Sequence, residues 1–267
     1  MKYNFNSVEH LHSLDDKPLT GTSTVCGVLY KPLTWWAAGK TLEVLGWTNS
    51  KKKIDGEYVF TPDGERIKIL LPKYSELLKS SPEEFLRLLD KAYRAHSEFT
   101  KDAADKGTDL HAELEKYVKF KMGVGPEVAF HERISPFIKW TERSVKKFIW
   151  SEAHCYDEEL WVGGISDAGV ELNTGEVAVI DFKSSKEAYT SHFIQCAGYA
   201  TQINKNGLFT KEGALIKKLE KPINSLIVIP FGAKGAEPQI RYVVKPFQDG
   251  FEAAVCLYRL LGLNDGH

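Results

Sequence analysis

GGISDAGVELNTGEVAVIDFKSSK, residues 163–186, is the stretch on which the fold turns. Its small, apolar and β-branched residues are interrupted by Asn173-Thr174-Gly175, a turn signal, so two strands joined as a hairpin are expected. Side chains alternate along a strand, which puts Asp181 and Lys183 on one face while Ile180 and Phe182 turn to the core on the other. If the turn pairs residues whose numbers sum to about 348, Asp167 stands opposite Asp181 with β-carbons about 5 Å apart. Two carboxylates that close repel unless a cation lies between them.

The cation that fits is Mg²⁺ or Mn²⁺, hard ions that prefer oxygen ligands and act as Lewis acids on phosphoryl groups. Lys183 would hold or polarise the attacking water, or stabilise charge building on the phosphate. On the D-x-K tripeptide alone, a surface ion pair is the better reading.

Outward from this stretch, SSPEEF opens a helix, with Ser81 as N-cap, Pro82 at N1 and Glu83 and Glu84 in the first turn. Helical patterning runs on to about residue 121, with a break expected near Gly107. His111 lies one turn beyond Gly107 and shares a stripe with Leu114 and Val118, so it points inward. A lone inward histidine is more often a satisfied core residue than a ligand.

HERISPFIKWTERSVKKFIW predicts a helix from about Pro136 that carries Ile138, Val145 and Phe148 at helical spacing. Strands are expected from residue 150. KEAYTSHFIQCAGYATQIN predicts a helix capped by Ser184 or Ser185, in which Gln195 and Tyr199 share a face. Two more strands follow in NSLIVIPFG and QIRYVVKPF, then a closing amphipathic helix.

In the N-terminal part, residues 1–30 read as irregular and TWWAAGKTLEVLGW as a short helix capped by Thr34. EYVFTPDGERIKILL reads as two strands about a Pro-Asp-Gly turn. Trp35, Trp36 and Trp47 are read as packing anchors, with base stacking the alternative. The whole is an α/β chain, a mixed central sheet flanked by helices. A helical N-terminal portion, residues 1–97, is expected to pack on a core of residues 98–267.

The 267 residues carry 35 basic and 36 acidic side chains, which excludes the global basic attraction of many small DNA-binding domains. Any nucleic-acid contact must be local. The candidates are Lys51, Lys52 and Lys53, the run KWTERSVKK at 139–147 and KKLEK at 217–221, each read first as a solvated face.

No apolar run is long enough to span a bilayer, so no membrane role is expected. MKYNFNSVEHLHSLDD lacks an apolar signal region and carries acids without arginine, which makes a cytoplasmic setting the expectation. Cys26, Cys155, Cys196 and Cys256 form no close pair and are expected as free thiols. No phosphate-binding loop for ATP is present.

The order of the parts carries a resemblance. G-x-x-x-H (Gly107 to His111), Glu152, G-x-x-D (Gly164 to Asp167), D-x-K (Asp181 to Lys183) and Q-x-x-x-Y (Gln195 to Tyr199) resemble the RecB-type branch of the PD-(D/E)xK nucleases. That branch includes phage-encoded exonucleases and CRISPR-associated iron-sulfur nucleases, and the match covers residues 100–205 or so. TSTVCGVLYKPLTWWAAGK is similar, more weakly, to the opening of the phage members.

The resemblance implies a restriction-endonuclease-like core and a metal-dependent DNA nuclease, an exonuclease of DNA recombination, repair or phage DNA processing. It would act in a bacterial or phage-infected cell on DNA, alongside phage or host recombination proteins. Asp167, Asp181 and Lys183 would be catalytic. His111, Asp167, Asp181 and the Phe182 backbone carbonyl would hold the metal, Gln195 and Tyr199 would line the DNA channel, and Glu152 would be an accessory acid. The iron-sulfur members' cysteine spacing is missing, so no cluster is expected. The alternatives are a DNA-end-binding or recombination-partner module with little activity, and a restriction-type endonuclease.

Overall fold

The computed structural model describes residues 2–30, 34–49, 56–61, 64–127, 129–232 and 237–263. Lys51, Lys52 and Lys53, residues Pro62 and Asp63 of the expected turn, and the Trp35 side chain lie outside the described residues. The chain forms two compact units: residues 1–30 with 107–267, and residues 31–106.

The first unit opens with β1 (Tyr3–Asn6), β2 (Leu11–Leu14), β3 (Lys17–Gly21) and α1 (Thr22–Cys26). The second holds α2 (Thr34–Val44), β4 (Trp47–Asn49), β5 (Tyr58–Thr61), β6 (Gly64–Leu70) and α3 (Leu71–Lys79), its strands forming one antiparallel sheet in the order β4-β6-β5. The β5–β6 hairpin is thus as expected. Residues 1–30 are not irregular. Their strands are four or five residues long, too short to advertise a period, yet β3 joins the central sheet by pairing with β8. The division accordingly differs from a break near residue 97.

α4 (Pro82–Lys121) is a single continuous helix, with no break at Gly107. Its start is a reciprocal cap: the Glu84 N–H donates to Ser81 Oγ at 3.2 Å, and the Ser81 N–H donates to Glu84 Oε2 at 2.8 Å.

After α5 (Ser135–Ser144) come β7 (Val145–Asp157), β8 (Val162–Leu172), β9 (Val177–Lys183) and α6 (Thr190–Asn206). The chain closes with β10 (Leu208–Phe209), β11 (Leu215–Lys217), β12 (Ile223–Pro230), β13 (Gln239–Arg241) and α7 (Lys245–Leu260). Val145 and Phe148 are therefore strand residues, not part of a helix. Spacing of three suits either structure, but Phe148 and Trp150 also alternate inward, and a long antiparallel ladder with β8 settles the matter.

The sheet is mixed, with β12 parallel to β9 and β7, β8 and β9 antiparallel in turn. One face of β8 and β9, Ala168, Val170, Ala178, Ile180 and Phe182, packs on Leu110, Leu114 and Val118 of α4 and Phe137 of α5. The other, through Val177 and Val179, packs on Phe193, Cys196, Ala197 and Ala200 of α6. Opposite Gly169 the indole of Trp150 lies flat on the strand; a β-carbon there would sit 2.0 Å from the ring, so only glycine fits.

α6 begins at Thr190, not beside Ser184 or Ser185. The intervening backbone is laid against Gly232, whose β-carbon would come within 2.4 Å of Lys186 Cα. The start is held instead by His192, whose Nδ1 accepts from the Tyr189 N–H at 3.2 Å.

Candidate metal centre

The β8–β9 ladder pairs Glu171 with Val177, Val170 with Ala178, Gly169 with Val179 and Ala168 with Ile180. This is the register read from the Asn-Thr-Gly turn; the ladder ends at Ala168 and Ile180, the residues next to Asp167 and Asp181. β7 extends the row. Ser151 pairs with Ala168 and Ala153 with Ser166, which leaves Glu152 opposite Asp167. Three acids thus stand side by side across three strands.

The row lies where the sheet opens. One edge of β8 is taken by β3 at Val162 and Gly163 and by β9 from Ala168 onward, so the G-x-x-D segment falls between two partners. Asp167 Oδ2 fills the break by accepting the Phe182 N–H at 2.7 Å. Gly164 is required by packing: a β-carbon there would lie 2.7 Å from the Tyr199 ring and 2.8 Å from Thr22 Oγ1. Side chains, rather than an approaching ligand, occupy the space above it.

Glu152 has φ of 45° in the middle of a strand, a region that costs a non-glycine residue of order 1–3 kcal/mol. The strained residue is also an electrostatic outlier. Burial first, then Asp167 and Glu115, push its carboxyl up to about 8 against the opposing pull of Lys119.

His111 reaches the row from α4. Its Nε2 is 2.9 Å from the Phe182 carbonyl, and a carbonyl can only accept, so Nε2 carries the proton. In the neutral ring Nδ1 then keeps its lone pair, 4.0 Å from Asp167 Oδ1. Ligand atoms of His111, Glu152 and Asp167 all fall within 4.8 Å of one another. In this arrangement the Phe182 carbonyl orients the imidazole, the role that outer hydrogen-bond partners play for metal-binding histidines.

Asp181 belongs to a second, linked group. Lys183 Nζ donates to Asp181 Oδ1 at 3.0 Å and to Gln195 Oε1 at 3.1 Å, and Gln195 Nε2 donates to the Tyr199 hydroxyl at 2.8 Å. Asp181, Gln195 and Tyr199 are buried. Gln195 and Tyr199 therefore back the lysine instead of lining an open channel. Burial pulls the Lys183 ammonium toward neutrality, but Asp181 and Asp167 outweigh it and hold the group charged. Burial raises the Asp181 carboxyl, Asp167 adds to the rise and Lys183 opposes it.

Asp181 Oδ2 also lies 2.8 Å from Lys183 Nζ, so both carboxylate oxygens face the one ammonium. The two carboxylates and one imidazole of Glu152, Asp167 and His111 suit a hard divalent cation, with imidazole favouring Mn²⁺. The residues present fit the ion.

The part of Glu152 in the cluster was only loosely visible in the sequence. Its signal was position: it precedes Asp167 by 15 residues, within reach of a two-strand register, but no turn motif like Asn-Thr-Gly fixed that register.

Neither a protein-family model nor a curated protein matches the chain. Among solved structures, "Crystal structure of SSO0001" is similar over 88% of each chain, at 14% identity and a TM-score of 0.33.

Proposed function

We propose that the protein is a metal-dependent DNA nuclease that hydrolyses phosphodiester bonds with water, and that it acts as an exonuclease in DNA recombination, repair or phage DNA processing. The observation that carries the reading is the row Glu152, Asp167 and Asp181 across β7, β8 and β9, with His111 over its middle and Lys183 at its end.

In this reading His111, Glu152 and Asp167 hold the ion, with Asp181 beside them. A bound Mg²⁺ or Mn²⁺ supplies Lewis-acid charge at a phosphoryl oxygen and lowers the pKa of water. The residues do the rest. Lys183, kept charged by Asp181 and Asp167, presents its ammonium to the water or to the phosphate as negative charge builds there. Gln195 and Tyr199 fix where that ammonium points, and the buried Asp181 keeps it from swinging out to solvent. The Phe182 carbonyl holds the His111 ring in the tautomer that leaves Nδ1 free.

DNA cleavage is expected to require Mg²⁺ or Mn²⁺, with Mn²⁺ at least as effective, and to disappear in Asp181→Ala protein that remains folded. Undiminished cleavage by that variant contradicts the reading. Supercoiled circular DNA separates the alternatives: an exonuclease leaves it intact, whereas a restriction-type enzyme linearises it. Tight DNA binding without cleavage under any divalent ion returns the binding-module reading.

A further inference from the structure

Two lysine runs some seventy positions apart meet in the fold. A recess of about 250 Å³ is lined by Lys147 from the start of β7, Glu171 from β8, and Lys217, Lys218, Glu220 and Lys221 from β11 and the turn after it. Glu171 is buried, and it pairs with Lys146 at 2.8 Å and Lys147 at 3.1 Å. One carboxylate therefore pins two ammonium groups at the rim and neutralises only one of them. Lys217, Lys218 and Lys221 are exposed and take part in no ion pair among the described residues.

Five lysines against two glutamates is a strong local excess in a chain whose net charge is −1. Lysine on an edge strand is a common guard against strand pairing, and β11 ends its sheet path. That role requires neither the opposing lysines on β7 nor a carboxylate that fixes them in place. Like charges gathered about one recess repel, and an anion relieves them.

We propose that Lys217, Lys218 and Lys221, with Lys146 and Lys147, form a contact surface for the phosphodiester backbone of a nucleic-acid strand, distinct from the metal centre. The choice of nucleic acid among anions rests on the nuclease reading. The recess adjoins Glu171 and Val177, at the closed end of the β8–β9 ladder, while Asp167 and Asp181 flank its open end. Four residues of strand separate the two, about 13 Å. A single nucleotide does not extend over that distance, but a strand of several does. The surface therefore selects for polymer and contributes to binding, not to the chemical step.

The test is fluorescence anisotropy with a labelled single-stranded oligonucleotide and the full chain, in EDTA, across a salt series. The combined Lys217→Gln, Lys218→Gln and Lys221→Gln variant is expected to bind roughly 100-fold more weakly at about 0.1 M salt. The slope of log affinity on log salt should flatten by about 2, at ~0.7 per lost phosphate contact. Arginine at all three positions should keep both, and equal melting temperatures establish that the variants are folded. Unchanged affinity and slope in the glutamine variant overturn the proposal. So does complete displacement of the oligonucleotide by millimolar inorganic phosphate, which marks a site for a lone anion. Binding is read without metal, so the two readings fail separately. Binding that depends on these lysines in a protein that never cleaves removes the nuclease and keeps the surface; cleavage with an unaltered salt slope does the reverse.

Discussion

Glu152 and His154 stand two residues apart on β7, and each belongs to a buried polar cluster, yet the clusters are built on opposite principles. At His154 one hydroxyl links two imidazoles. The Tyr3 hydroxyl lies 2.5 Å from His12 Nδ1 and 3.1 Å from His154 Nδ1, so the phenol donates to one ring and accepts from the other. Phe5, Tyr156 and Phe209 enclose the three. At Glu152 the groups are mismatched: its carboxyl is crowded by those of Asp167 and Glu115, and its backbone is strained. A satisfied polar cluster is a structural device, whereas a crowded and strained one is where a functional role is to be tested first.

The sharpest way to break this contrast is to remove the one ammonium beside the acidic row. On the proposed function, which puts the ammonium where transition-state charge develops, Lys183→Ala should lower DNA cleavage by at least about 100-fold in an end-labelled time course. Tyr3→Phe, on the matched cluster, should leave the cleavage rate of folded protein unchanged. Comparable losses in both would erase the distinction.

Next in size is Glu152→Gln. Taking one carboxylate from a crowded row should weaken Mn²⁺ binding about tenfold or more in a calorimetric titration, and should raise the melting temperature of metal-free protein. Lower stability in EDTA would mean that Glu152 is already well accommodated.

Tyr3→Phe itself should cost about 1–3 kcal/mol in denaturant unfolding, the price of leaving two buried ring nitrogens without their partner. The same cluster has a pH signature. Burial, with His154 and His10 adding, depresses His12 from 6.5 to about 4 in the folded protein, and burial lowers His154 as well. Between those limits the unfolded chain binds the extra proton, so the stability from His12 is complete above pH 6.5 and is lost as pH falls toward 4. From pH 7 to pH 5 the loss from this group is about 2 kcal/mol. A flat unfolding free energy over that interval in Tyr3-containing protein would contradict the neutral pair.

Much of this was legible in the sequence because it was local. The Asn173-Thr174-Gly175 turn set the β8–β9 register to the residue, and Ser81 with Glu84 announced the start of α4. What escaped was decided by distant partners. β3 is a strand because β8 offers it an edge, Val145 and Phe148 are extended because β8 pairs with them, and Ser184 and Ser185 lose the cap to Tyr189 because their backbone packs on Gly232. At the site, the one-dimensional order named side chains that the fold brings near one another, but not their contacts. The tie of Gln195 and Tyr199 to Lys183, and of His111 to the Phe182 carbonyl, depends on packing across the sheet that no spacing encodes.

The central claim is that the mismatched row awaits a divalent cation. A crystal soaked in Mn²⁺ and measured at the manganese absorption edge tests it directly. The predicted result is an anomalous peak in contact with Asp167 and His111, with Lys183 still paired to Asp181. An empty row, with the Lys183 ammonium drawn across to bridge Asp181 and Asp167, would contradict it.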